Sequence, residues 1–138
     1  ENDKLINQKI KSALRSGLKV IFCIGETLNE KRKKITKKVL NRQLRLGLSK
    51  IKSKNKIIIA YEPVWSIGTG LIPNASDLYE TINFIKKKIR KIKVLYGGSV
   101  NPKNIDYLKT INNLDGYLIG SASQNSKKFI DIIKKRYS

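Results

Sequence analysis

The chain has 138 residues, with 30 lysines and arginines against 10 acidic residues, and its formal net charge is +20. Its content of 40% apolar and 29% charged residues is that of a globular domain and excludes a disordered chain. No apolar run reaches the roughly 18 residues that a membrane span needs. The single cysteine excludes an intrachain disulfide, which favours a reducing compartment.

A charge balance this basic is typical of proteins that bind nucleic acid or an anionic membrane. The alternative is a composition rich in Lys, Asn and Ile that places lysines on solvated helix faces. We favour the alternative because no basic patch is interleaved with aromatic residues in the manner of a nucleic-acid module. We therefore predict no specific nucleic-acid partner and no membrane partner.

The first half of the chain alternates helix and strand. The predicted elements are a helix over 3–16, a strand over 20–24, a helix over 29–48 and a strand over 57–62. Ile6 and Ile10 share one face of the first helix, and Gly17 is placed to end it. The first strand is apolar throughout, so Cys23 is predicted to be a small buried residue.

The second half continues the alternation. Residues 73–76 supply helix-start chemistry, and an apolar stripe from Leu78 to Ile89 predicts the helix that follows. The later predicted elements are a strand over 93–96, a short helix from about 101 to 109, a strand over 116–119 and a helix from about 126. Asp77 with Glu80 is typical of a capping box, and Asn101 with Pro102 is typical of a helix start.

Buried strands that alternate with amphipathic helices predict an α/β fold with a parallel sheet. No interdomain linker is present, so residues 1–138 are predicted to form a single, partial domain. The chain contains no Met and begins at Glu1, which indicates a piece of a longer product or a processed one.

The stretch Ile57–Gly70 combines a buried strand, a carboxylate and a hinged loop. Glu62 stands where the strand ends, because Pro63 restricts the residue before it and cannot donate to a strand ladder. Trp65 and two glycines follow, which suggests a base beneath a lid. The alternative is a solvated glutamate followed by an ordinary turn.

Two glycine loops near the end of the chain are typical of anion sites. Residues 96–99, Tyr-Gly-Gly-Ser, and residues 120–123, Gly-Ser-Ala-Ser, each follow a strand and precede a helix. Glycine lets backbone N–H groups approach a ligand closely, and a helix N-terminus adds partial positive charge.

These motifs together resemble the triosephosphate isomerase family. Ala-Tyr-Glu-Pro-Val-Trp at 60–65 and Ile-Gly-Thr-Gly at 67–70 are similar to its catalytic strand and lid, and the two glycine loops are similar to its phosphate loops. The resemblance covers essentially all 138 residues but only the C-terminal half of the family's chain. It implies the C-terminal half of a (β/α)₈ barrel, with four parallel strands alternating with helices.

The resemblance also implies site roles. Glu62 corresponds to the catalytic base that interconverts dihydroxyacetone phosphate and glyceraldehyde 3-phosphate through an enediolate, without metal or cofactor. The implied phosphate donors are Gly68, Ser99, Gly120 and Ser121. The implied lid and latch residues are Pro63, Val64, Trp65, Ile67, Thr69, Gly70, Tyr96 and Glu26. For Glu26, an exposed carboxylate in a turn is the structural alternative.

The chain also departs from the family's pattern. Ser121 replaces a frequent glycine, so a left-handed backbone there would be strained. Leu71-Ile72-Pro73 replaces the frequent far hinge of the lid, and proline could stiffen it.

The family's histidine, active-site lysine and asparagine and main dimer loop lie in the missing half, and this chain has no histidine. We therefore expect the chain alone to be inactive, and the complete enzyme to be a cytoplasmic homodimer. The alternatives are a different phosphate-binding barrel enzyme, a non-catalytic phosphate-binding half-barrel, or a basic nucleic-acid-associated domain.

Overall fold

The computed structural model describes all 138 residues. The helices are α1 Asp3–Arg15, α2 Leu28–Arg32, α3 Thr36–Gly47, α4 Ala75–Lys88, α5 Ile105–Leu108 and α6 Ser126–Tyr137. The strands are β1 Val20–Ile24, β2 Ile57–Tyr61, β3 Lys93–Tyr96 and β4 Gly116–Tyr117. Single 3₁₀ turns cover Val64–Ser66 and Ser121–Gln124. No helix is both long and apolar enough to cross a bilayer.

The four strands form one parallel sheet in the order β1-β2-β3-β4, which confirms the predicted fold class. Since every connection between parallel strands crosses over through helices, the strands all end at the same edge of the sheet. That edge carries the residues after β2, β3 and β4, which include Glu62 and both glycine loops.

The edge strand β1 buries only one of its two faces. In β1, Phe22 and Ile24 are 4% and 3% exposed, whereas Ile21 is 48% exposed and Cys23 is also exposed. The prediction that Cys23 is buried is therefore wrong. Its side chain points away from the helices, onto the concave face that the other half of a barrel would cover.

The helix predicted over 29–48 is in fact two helices. α2 ends in a Schellman-type turn, in which the Ile35 N–H donates to the Glu30 carbonyl and Lys34 adopts φ +57°. Glycine usually occupies that left-handed position, so a lysine there gives no helix-stop signal in the sequence. A capping box between Thr27 and Glu30 fixes the start of α2.

Other helix ends bear out or correct the predictions. Gly17 takes φ +81° after α1, as predicted for its end. Asn74, rather than a box between Asp77 and Glu80, caps α4 by accepting from the Asp77 N–H. The Asn101 side chain accepts from the Lys103 N–H in a local turn, so α5 begins only at Ile105.

Candidate active site

Glu62 continues β2 by one residue at the mouth of the sheet. Its N–H donates to the Ile24 carbonyl at 2.8 Å, and the Gly97 N–H donates to the Tyr61 carbonyl at 2.9 Å. These bonds hold the backbone around Glu62 to both neighbouring strands. The position of Glu62 at the strand mouth therefore follows from the ladder itself.

Glu62 shares one cavity of about 210 Å³ with the lid and both glycine loops. Its lining includes Ile67 and Gly68 from the lid, Ser99 from the loop after β3, and Gly120 and Ser121 from the loop after β4. The carboxylate and the implied phosphate donors thus converge, although Glu62 and Gly120 are 58 positions apart in the chain.

Two glycines permit this convergence. A Cβ on Gly97 would lie 2.7 Å from the Glu62 Oε1 atom, so only glycine leaves room for the carboxylate. A Cβ on Gly25 would lie 1.9 Å from the Glu62 carbonyl oxygen, inside the β1–β2 pairing. Both glycines are needed for close approach, whereas the sequence linked Gly97 only to a phosphate loop and gave Gly25 no role in the site.

The segment Trp65–Gly70, which we call the lid, lies over the cavity. Gly68 and Gly70 take φ values of +69° and +78°, and Thr69 Oγ1 donates to the Trp65 carbonyl at 3.0 Å. Val64 and Ile67 expose about half of their side chains, at 51% and 52%. Pro63 is buried and anchors the near end.

The inner side of the lid contacts the loop after β3. The Gly70 N–H donates to Ser99 Oγ at 3.0 Å, and Ser99 Oγ–H donates to the Ser66 carbonyl at 2.6 Å. Ser99 takes φ +49°, a strained conformation for a serine that aims its hydroxyl at the lid. Tyr96, also an implied latch residue, contacts the lid directly, through the hydroxyl of Ser66.

Ser66 is a lid residue that the sequence interpretation missed. It is fully buried, its Oγ lies 2.9 Å from the Tyr96 hydroxyl, and it donates to the Leu71 carbonyl at 2.5 Å. The hydroxyl therefore ties the near end of the lid to the Leu71-Ile72-Pro73 hinge. Burial raises the pKa of Tyr96 to about 12, so this phenol keeps its proton.

The outer side of the lid contacts Glu26. The Trp65 Nε1–H donates to Glu26 Oε1 at 2.9 Å, and the Tyr61 hydroxyl donates to both carboxylate oxygens at 3.2 and 3.1 Å. Glu26 is 1% exposed, so the alternative of an exposed turn carboxylate is wrong. Burial and the Glu26 carboxylate raise the pKa of Tyr61, which sequence inspection had not singled out.

The loop after β4 accepts serine without backbone strain. Gly120 has φ −85°, and Ser121 starts a 3₁₀ turn with no left-handed residue. The Ser123 N–H donates to the Gly120 carbonyl at 2.9 Å, which closes the turn. The predicted conflict at Ser121 therefore does not arise.

Cys23 lies beside Glu62 on the concave face of the sheet. Partial burial of the thiol and the adjacent Glu62 carboxylate raise the Cys23 pKa to about 12. Sequence inspection placed Cys23 in the core, because the pattern of β1 does not reveal that one face of the strand is open. No three His, Cys, Asp or Glu side chains are grouped to hold a metal ion.

Comparison with known proteins gives one consistent match. The family model described as triosephosphate isomerase matches residues 1–136. The triosephosphate isomerases of Thermodesulfovibrio yellowstonii and Candida albicans are 42% and 46% identical over 97% and 99% of this chain. A crystal structure of the Bartonella henselae triosephosphate isomerase covers all of the chain with a TM-score of 0.89 and 36% identity. The chain spans 58% of both curated relatives and 59% of the Bartonella chain.

Proposed function

Because this chain belongs to the triosephosphate isomerase family, we propose that it carries the base and the phosphate subsite of an enzyme that interconverts dihydroxyacetone phosphate and glyceraldehyde 3-phosphate. The observation that carries the proposal is the shared cavity of Glu62 and the two glycine loops. One triose phosphate spans such a site, with its phosphate at the loops and with its carbonyl carbon and the carbon beside it at the carboxylate.

In the proposed mechanism Glu62 takes a proton from the carbon beside the carbonyl and returns it to the former carbonyl carbon, while the hydroxyl proton of the first carbon passes to the former carbonyl oxygen. The intermediate is an enediolate, and no net proton is gained or lost. The phosphate is bound by the backbone N–H groups of Gly68, Ser99, Gly120 and Ser121. The small side chains of these residues let the phosphate approach the backbone closely. Lid closure excludes water from the site, which protects the enediolate from side reactions.

Part of the site lies outside these 138 residues. The chain has no histidine to polarise the substrate carbonyl, and it spans 58% of the length of its curated relatives. We propose that a further segment of family sequence supplies this group and covers the concave face. From the family we also propose a cytoplasmic homodimer that needs no metal or cofactor and has no specific nucleic-acid or membrane partner.

Reconstitution tests the proposed function. The chain is mixed with the N-terminal part of the Candida albicans relative that it does not span, and isomerisation of dihydroxyacetone phosphate is followed. We expect turnover from the purified complex and little or none from either part alone. A stable complex that binds inorganic phosphate without turnover would instead support the non-catalytic phosphate-binding half-barrel.

A further inference from the structure

The short helix α2 places a lysine against the lid. α2 begins with the capping box at Thr27, directly after Glu26, and ends at Arg32, and the turn that follows contains the left-handed Lys34. A single continuous helix over 29–48 would not turn at this point. The break therefore fixes α2 as a separate unit whose Lys31 faces Trp65.

Lys31 lies over the face of the Trp65 ring. Its Nζ is 3.5 Å from the ring centroid, well inside the range of a cation–π interaction. The lysine is half-buried, and no carboxylate lies within salt-bridge distance of its ammonium. The indole face is thus its close partner, and Trp is the aromatic ring that binds cations best.

The edge of the same ring is held by an anion. Trp65 Nε1–H donates to Glu26, which is buried and is itself positioned by the Tyr61 hydroxyl. The indole is therefore held at its edge by a carboxylate and on its face by an ammonium. Trp65 cannot leave this position, by rotation or by lid movement, without losing both contacts.

We propose that Lys31 is a positioning residue for the lid, which stacks on Trp65 and holds it in the state engaged with Glu26. The inference rests on the proposed function only in treating Trp65–Gly70 as a substrate lid. The clamp formed by Glu26 and Lys31 is a property of the chain itself. It sets how readily the outer end of the lid is released.

The only tryptophan of the chain reports on this clamp directly. Acrylamide quenching and time-resolved anisotropy of Trp65 are measured in the chain as it stands and in the variants Lys31→Gln and Lys31→Arg. Loss of the cation should increase the population of released Trp65 about two- to fivefold. The increase should be seen as faster quenching and as a larger amplitude of the fast component of the anisotropy decay. Lys31→Arg, which keeps a stacking cation, should restore slow quenching.

Lys33→Gln is the matched control, because it removes the same charge from an exposed side chain two residues away. Equal quenching in Lys31→Gln and the unmodified chain, or equal release in Lys31→Arg and Lys31→Gln, would overturn the inference. The Lys31 variants can behave as expected while the reconstituted barrel has no isomerase activity. That result would leave the inference standing and would remove the proposed function.

Discussion

In the reconstituted barrel, Glu62→Asp is expected to lower kcat for triose phosphate isomerisation by at least about a hundredfold, while the melting temperature changes little. Aspartate is one methylene shorter, and a displacement of about 1 Å from the reacting carbon costs roughly a hundredfold in rate. Stability is spared because Glu62 is half-buried and is held mainly through its backbone N–H to Ile24. The assay is steady-state kinetics with thermal unfolding of the same samples.

Glu80→Asp serves as the control for this substitution. Glu80 is exposed, pairs with Lys37 at 3.3 Å and lies outside the cavity that Glu62 lines. Its variant should keep full activity. A Glu62→Ala barrel that still isomerises triose phosphate would remove Glu62 from the role of base.

The Cys23 thiol is expected to react slowly with a neutral disulfide reagent, although its side chain is exposed. A pKa of about 12, against an ordinary value of 9.0, leaves roughly a thousandfold less thiolate at pH 8. The thiolate that does form is roughly twentyfold more nucleophilic, so the net slowing is about fiftyfold relative to the unfolded chain. Stopped-flow measurement of the rate against pH gives both the pKa of the thiol and the reactivity of the thiolate.

Glu62→Gln separates the two causes of the raised Cys23 pKa. Removing the neighbouring negative charge should lower the pKa and speed the reaction, but the pKa should stay above 9.0 because burial is the larger cause. An identical rate profile in Glu62→Gln and in the unmodified chain would show that the thiol is not next to the carboxylate. The same result would displace Glu62 from the position described here.

The sequence predicted the sheet and the convergence of its loops because apolar strands, glycine loops and strand-ending carboxylates carry strong local signals. The break between α2 and α3 was missed because Lys34 occupies a left-handed position without glycine. The exposure of Cys23 was missed because the pattern of one strand cannot reveal that half of a barrel is absent from these residues.

The contacts that hold the lid were recovered only in part. Resemblance pointed to Trp65 with Glu26, and the geometry joins them. Ser66 escaped notice because a serine inside a loop has no distinctive spacing, and its importance depends on Tyr96 and Leu71, which are distant or irregular in sequence. Tertiary hydrogen bonds of this kind leave no periodic signal.

The position of bound substrate in the reconstituted barrel tests the central claim most directly. In a crystal structure of that complex with dihydroxyacetone phosphate, we predict the phosphate within hydrogen-bond distance of the Ser99 and Ser121 N–H groups. The same molecule should place its carbonyl carbon and the adjacent hydroxymethyl carbon against the Glu62 carboxylate. A phosphate bound at another surface, with Glu62 facing only solvent, would contradict the account.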